Sequence, residues 1–369
     1  MIKVLIAVSS LGSGGITGML RQYVSAVDRE RFSIDLLVYS GSDLTNRSFF
    51  EENGCKVFLC ADPGKHYLTA RREIVQLLKK EHYDVLHACN SLNSGFLMQF
   101  AVIAGVPQRI VHSHSSHDYV HSFVYRMYGN VMFAMISKYA NRRLACSAKA
   151  GAYLFRDLPF DVLPNAVPAE KFAYSQEERS RIRDQYGIGE DDFLIGTVAM
   201  ISAVKNQPFI LQVLKHLPSR YRFMLVGDGD QREAFEKAVR DEGLGDRVII
   251  TGWTNEAWRY YSAFDVFVLP SFSEGFPVVS LEAQASGLVC LMSDAVTQEA
   301  DVTSRAQHLP IGEKDAQRWA EAIQAVQCES RENPIAGTVF DIRENIRMLE
   351  AYYEGSSGIA VNDRSSHGR

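Results

Sequence analysis

Glu274 and Glu282 stand eight positions apart in Ser273-Glu274-Gly275-Phe276-Pro277-Val278-Val279-Ser280-Leu281-Glu282-Ala283. Pro277 suits the first turn of a helix, where a missing N–H costs nothing. The helix is expected to run to about Ser286, with Gly287 as its cap. Its opening turn presents backbone N–H groups near Gly275, Phe276 and Val278, a ready site for phosphate. An anion flanked by two carboxylates makes sense when the carboxylates accept hydrogen bonds from hydroxyls. A sugar would then lie on one side and a ribose on the other. The same spacing also suits a solvated loop glutamate and a buried helix-capping network, so spacing alone leaves both readings open.

Three further constellations could do chemistry. His112-Ser-His114-Ser-Ser-His117-Asp118 offers histidines at short spacing after a strand, which could ligate zinc. It resembles the His-x-His-x-Asp-His motif of metallo-β-lactamases, but Ser116 stands where that motif has aspartate. Strand alternation also puts His112 and His114 on one side without any metal. Asp228-Gly-Asp230 spells a metal-binding Asp-x-Asp, yet it follows a strand as a turn into a helix, where Asp230 reads more simply as an N-cap. Gly12-x-Gly14 hints at a dinucleotide fold, but the third glycine is misplaced and the acidic residue expected at a strand end is missing.

The elements that must position these residues alternate. Short apolar runs are separated by stretches of helical period, the pattern of parallel sheets wrapped by helices. Strands are predicted at Val4–Val8, Ile34–Val38, Val57–Leu59, Asp84–His87, Arg109–His112 and Arg143–Cys146. Met19, Leu20, Tyr23, Val24 and Val27 form one helix face. A second series begins after Val162-Leu163-Pro164-Asn165-Ala166-Val167-Pro168, with strands at Leu194–Val198, Phe223–Val226, Val248–Ile250, Val266–Leu269 and Val289–Met292. The two prolines and the polar segment Tyr174–Arg183 read as an interdomain hinge. A last helix is expected over Asp341–Tyr353, and Gly355–Arg369, with almost no apolar content, is expected to be disordered. In open α/β sheets ligands bind beyond the carboxyl ends of the strands, so the loops after strands carry the information.

The chain has 369 residues, enough for two domains with separate cores. Its net charge of −5 gives no electrostatic footprint for nucleic acid. Six scattered cysteines without a Cys-x-x-Cys pair fit a reducing cytoplasm. The N-terminal apolar run reads as a first strand rather than a signal peptide, and no window approaches the roughly 20 apolar residues that span a bilayer. Phe123–Tyr139 mixes methionine, aromatics and basic residues. It reads first as a helix buried in the N-terminal domain, and alternatively as a membrane-surface helix.

Glu-x7-Glu within Glu-Gly-Phe-Pro-Val-Val-x-x-Glu-Ala is similar to the signature of glycosyltransferase family 4, retaining enzymes of the GT-B fold. Five other segments resemble the family in the same order. They are Gly12-Ser13-Gly14-Gly15, Val162–Val167, Lys205-Asn206-Gln207, Leu225-Val226-Gly227-Asp228-Gly229 and Asp265–Ser271. The likeness runs from about residue 1 to 353 and points toward bacterial capsule, exopolysaccharide or lipopolysaccharide assembly.

The resemblance implies two Rossmann-like domains facing each other across a cleft: an acceptor domain over 1–163, joined by the returning helix 341–353, and a donor domain over 164–337. It implies retaining, metal-independent transfer of a hexose or N-acetylhexosamine from a nucleotide diphosphate, most simply UDP, with no resident cofactor. The acceptor would be a glycan or a polyprenyl-linked sugar, and the enzyme cytoplasmic or peripheral on the membrane. Glu274 would bind donor-sugar hydroxyls, Glu282 the ribose, and Lys205 the diphosphate, where its charge stabilises the leaving group. His114 would face the donor sugar, and Gly14 and Gly15 would approach the phosphates or the acceptor. One departure is Ala199-Met200-Ile201, where the family commonly has an arginine. That keeps open a nucleotide-sugar-binding accessory subunit with little catalysis, beside a zinc hydrolase built on residues 112–118.

Overall fold

The structure, a computed structural model, describes residues 1–12, 14–115, 122–274, 276–312, 314–327 and 331–356. The chain divides into two compact units, Met1–Asn165 with Ile342 onward, and Ala166–Asp341.

The first unit holds a seven-stranded sheet in the order β3-β2-β1-β4-β5-β6-β7. Its strands are β1 (Ile2–Val8), β2 (Phe32–Tyr39), β3 (Val57–Cys60), β4 (Val85–Ala88), β5 (Gln108–Ser113), β6 (Arg142–Ala145) and β7 (Asp161–Val162). All neighbours run parallel. Parallel strands covered by helices on both faces need apolar side chains on both, and Val4–Val8 is buried throughout. Helix α1 (Gly15–Ala26) buries Met19, Leu20, Tyr23 and Val24, the face its sequence spacing predicts.

The second unit repeats this plan with six parallel strands in the order β10-β9-β8-β11-β12-β13. They are β8 (Phe193–Val198), β9 (Tyr221–Val226), β10 (Val248–Gly252), β11 (Val266–Leu269), β12 (Cys290–Ser293) and β13 (Ala306–Leu309). A bridge between Val167 and Asp341 joins the two ends of the unit. In both sheets the order reverses beside the first strand, between β1 and β4 and between β8 and β11. Loops at such a reversal diverge and leave a crevice at the strands' carboxyl ends.

Every strand predicted from sequence is present, and two were missed. β7 is only two residues long, and β13 carries Gln307 and His308 in place of an apolar run. The polar segment read as a hinge is instead helix α3 (Gln176–Gln185), capped by Ser175. Its charge is not all solvated: Arg179 and Arg183 pair with buried Asp265 at 2.7 and 3.2 Å. Helix α2 (Phe123–Tyr139) buries Gly129, Met132 and Ile136, while Phe123, Val124, Met127 and Val131 are exposed. The reading of a buried helix therefore fails for that stripe, since one face packs on the unit and the other does not.

The last helix, α5 (Ile342–Tyr353), belongs to the first unit. Asn345 Nδ2 donates to the Pro164 carbonyl at 2.8 Å, and Glu350 accepts from the Asp28 backbone N–H at 2.9 Å. Tyr353 is buried against Phe32. Most of the segment expected to be disordered, 357–369, lies outside the described residues.

Candidate functional site

Lys205 and Glu274 come from the loops after β8 and β11, the two strands that flank the reversal in the second unit. Lys205 Nζ lies 2.6 Å from Glu274 Oε1, which also accepts from Ser271 Oγ at 2.6 Å. Both partners are largely but not fully buried, so the pair is shielded and still reachable. Ser271 is fixed in turn, because Ser293 Oγ donates to its carbonyl. Asn206 stands in the left-handed region at φ 52° and donates its side-chain amide to the Pro270 carbonyl at 3.2 Å. That bond ties the Lys205 loop to the Glu274 loop.

The loop after β9 closes against the loop after β8. A Cβ on Gly227 would stand 2.1 Å from the Ala199 carbonyl oxygen, and one on Gly229 would stand 2.2 Å from that of Ile201. Only glycine allows this approach. Asp230 is not the N-cap that the sequence suggested. That position falls to Gln231, while Asp228 pairs with Arg232 at 2.9 Å. The Asp-x-Asp pair is thus split, one member being held by an arginine.

Helix α4 (Val278–Ala285) begins after Pro277, which takes the N-cap place rather than the first helical position. No side chain caps its opening turn. Phe276 and Val278 are half-buried at this start, and Gly275 lies outside the described residues. The helix stops where expected, at Ser286, with Gly287 at φ 70°. Glu282 projects from α4 to a different partner, the Tyr261 hydroxyl at 2.5 Å. Burial pushes its carboxyl up to about 7, against the opposing pull of Tyr261 and Lys171. Met200 is 57% exposed in the loop after β8, and its carbonyl accepts from Gln207 at 2.8 Å.

In the first unit Gly14 caps α1 and Gly15 opens it. A Cβ on either would meet nothing within 4 Å, so the chain itself does not demand glycine at these two places. His114 follows β5, its ring 4.0 Å from that of His112. Its Nε2 is out of contact with solvent and has no partner among the described residues, and burial lowers its pKa to about 4. His117 and Asp118 lie outside the described residues. The histidine that joins His112 is His87 from β4, which the sequence reading passed over as part of a strand. Ser271 and Tyr261 were missed too, since a lone hydroxyl in an apolar stretch carries no pattern.

Residues 178–334 match the family model of glycosyl transferases group 1. That match covers most of the second unit. The chain is 29% identical to EpsF of Bacillus subtilis strain 168, a glycosyltransferase by name, over 96% of this chain and 97% of that one. It is 27% identical to an Escherichia coli enzyme named UDP-Gal:alpha-D-GlcNAc-diphosphoundecaprenol alpha-1,3-galactosyltransferase, over 76% of each. Among solved structures it resembles Anabaena HepE in complex with UDP, with a TM-score of 0.76 and 19% identity over 96% of this chain and 95% of that one. The fold is that of a GT-B glycosyltransferase, and the chain is a glycosyltransferase similar to those of bacterial surface-polysaccharide synthesis.

Proposed function

We propose that this glycosyltransferase moves a hexose or N-acetylhexosamine from a UDP-sugar to a glycan or polyprenyl-linked acceptor, retaining the anomeric configuration and using no metal at the diphosphate. The observation that carries the reading is the Lys205–Glu274 pair at the β8/β11 reversal, beside the uncapped start of α4. The pair joins one cation and one acceptor side by side, as a sugar diphosphate requires. When donor binds, Lys205 exchanges its carboxylate partner for phosphate, and Glu274 is released to accept from sugar hydroxyls while Ser271 keeps it oriented. Backbone N–H groups near Gly275, Phe276 and Val278 complete the anion site. Charge then builds on the leaving diphosphate where Lys205 already stands, which lowers the barrier to breaking the glycosidic bond.

Glu282 takes the ribose in this scheme. His114, neutral at pH 7, accepts or donates one hydrogen bond at the sugar, and Gly14 and Gly15 let the backbone come close to ligand. UDP is the nucleotide best supported, because the HepE complex contains it and the Escherichia coli relative is named for it. A panel of UDP-, GDP- and ADP-sugars read by donor hydrolysis tests the choice. Lys205→Ala and Glu274→Ala should each lower transfer by about 10²–10³-fold with unchanged circular dichroism. Near-normal turnover in either would overturn the site.

Exposed Met200 favours a second reading, an accessory subunit that binds nucleotide sugar with little turnover. Such a subunit would bind UDP, hydrolyse no donor, and stay inert as Met200→Arg. A zinc hydrolase built on residues 112–118 gains no support from His112, whose ring turns toward His87 instead.

For the acceptor, the exposed stripe Phe123, Val124, Met127 and Val131 on α2 supports docking on a membrane surface. Val124 is 75% exposed, and the helix carries Arg126 and Lys138 with no acidic residue. No helix among the described residues is long and apolar enough to cross a membrane. The enzyme would then act at the cytoplasmic face on a lipid-linked acceptor. Flotation with vesicles containing anionic lipid should recover the protein, and Val124→Glu with Met127→Glu should abolish recovery. Equal recovery of that variant would remove the membrane reading.

A further inference from the structure

The polar side chains at the carboxyl ends of β4 and β5 are unusual for the centre of a sheet. His87 and His112 are fully buried, and Cys89 nearly so. His87 pairs in register with Ile110, so His87 and Cys89 share a face with Ile110 and His112 on the neighbouring strand. The ring nitrogens His87 Nε2 and His112 Nδ1 stand 3.3 Å apart, and Cys89 Sγ stands 3.7 Å from His87 Nε2. All three atoms lie within 4.8 Å of one another.

We propose that His87 Nε2, Cys89 Sγ and His112 Nδ1 form a binding site for one zinc-class divalent cation in the first unit. Tetrahedral zinc with its usual bond lengths places nitrogen ligands about 3.4 Å apart and nitrogen and sulfur ligands about 3.6 Å apart. The His87–His112 and His87–Cys89 spacings match these figures, and Cys89 Sγ lies within 4.8 Å of His112 Nδ1, a third spacing that closes on binding. Thiolate and imidazole are the ligands that suit such an ion, and carboxylate-seeking calcium or magnesium would not select them.

The surroundings orient the ligands. Tyr353 OH lies 2.9 Å from His87 Nδ1, so the ring can keep its proton on that side and turn a bare Nε2 inward. With its proton on Nε2, the His112 ring presents Nδ1 as a lone pair toward the site. Beside the cluster, the Tyr23 hydroxyl, His112 Nε2 and His114 Nε2 are buried without a partner among the described residues. The half-buried His114 ring packs on His112. Binding displaces the Cys89 proton to solvent and leaves the sulfur as thiolate, so affinity must rise with pH. This site is distinct from the Lys205–Glu274 pair and does not depend on the transfer reading.

The test uses the untagged full-length chain, stripped with a chelator and titrated with cobalt(II) as a coloured substitute for zinc. One equivalent should bind with a thiolate-to-cobalt charge-transfer band in the near ultraviolet, and zinc should displace it. Cys89→Ser should lose the band and bind zinc at least about tenfold more weakly. His112→Gln should weaken binding likewise and serves if Cys89→Ser does not fold. Full-length protein that shows no such band with excess cobalt, or a band unchanged in both variants, would overturn the proposal.

Discussion

In both units the strand order reverses between a first strand and the strand that follows three crossovers later, β1 and β4 in one and β8 and β11 in the other. The side chains at the two reversals are treated in opposite ways. In the first unit they are buried, and burial keeps them uncharged: His87 on β4 is lowered to about 3. In the second they are charged, paired and partly open, as Lys205 and Glu274 show. A buried neutral cluster can hold a proton or a soft cation in place. A partly open ion pair can trade each partner for a ligand group. One scaffold thus supplies two kinds of polar site, and the loops decide which.

Acidification should break the comparison with the largest effect. The three depressed histidines bind fewer protons folded than unfolded once the pH falls below their ordinary value of 6.5. Stability is therefore present above that pH and lost below it, by about 1.4 kcal/mol per pH unit for each ring. Urea unfolding of the chelator-stripped protein between pH 7 and pH 5 should show this slope, and His87→Gln should reduce it by roughly one ring's share. A flat profile would mean that the rings are not kept neutral.

A smaller effect is expected in the second unit and has the opposite sign. Glu282 is raised from 4.5 to about 7, so the folded state holds its proton longer than the unfolded chain. Stability falls as pH rises from 4.5 toward 7, by an amount on the order of 2 kcal/mol. Glu282→Gln should be the more stable protein at pH 7 and equal to the parent near pH 4. The smallest expected change is Glu274→Gln in stability. It keeps an acceptor for Lys205 and Ser271 while removing the ion pair, and should cost about 1 kcal/mol or less by thermal melting. A large loss there would show that the pair is structural rather than exchangeable.

Much of the site was legible because local chemistry repeats in local sequence. A strand, a glycine turn and a proline-led helix each have a short-range signature, so β11, α4 and the Glu274–Glu282 spacing could be read before any fold was known. The segment 174–183 misled because composition reports polarity and not partners. Asp265, which buries the charge of Arg179 and Arg183, is more than eighty residues away. Helix α2 misled for the complementary reason, since apolar content does not say which face finds a neighbour.

The sequence by itself determined the alternation of strands and helices, the place of the anion-binding helix start, and the loops that carry Lys205 and Glu274. Only the tertiary structure decided that those two residues meet, that Glu282 turns to Tyr261, and that His87 lies against His112. The reason is physical: local patterns follow from periods of two and 3.6 residues, whereas these pairings depend on strand order and register between distant segments.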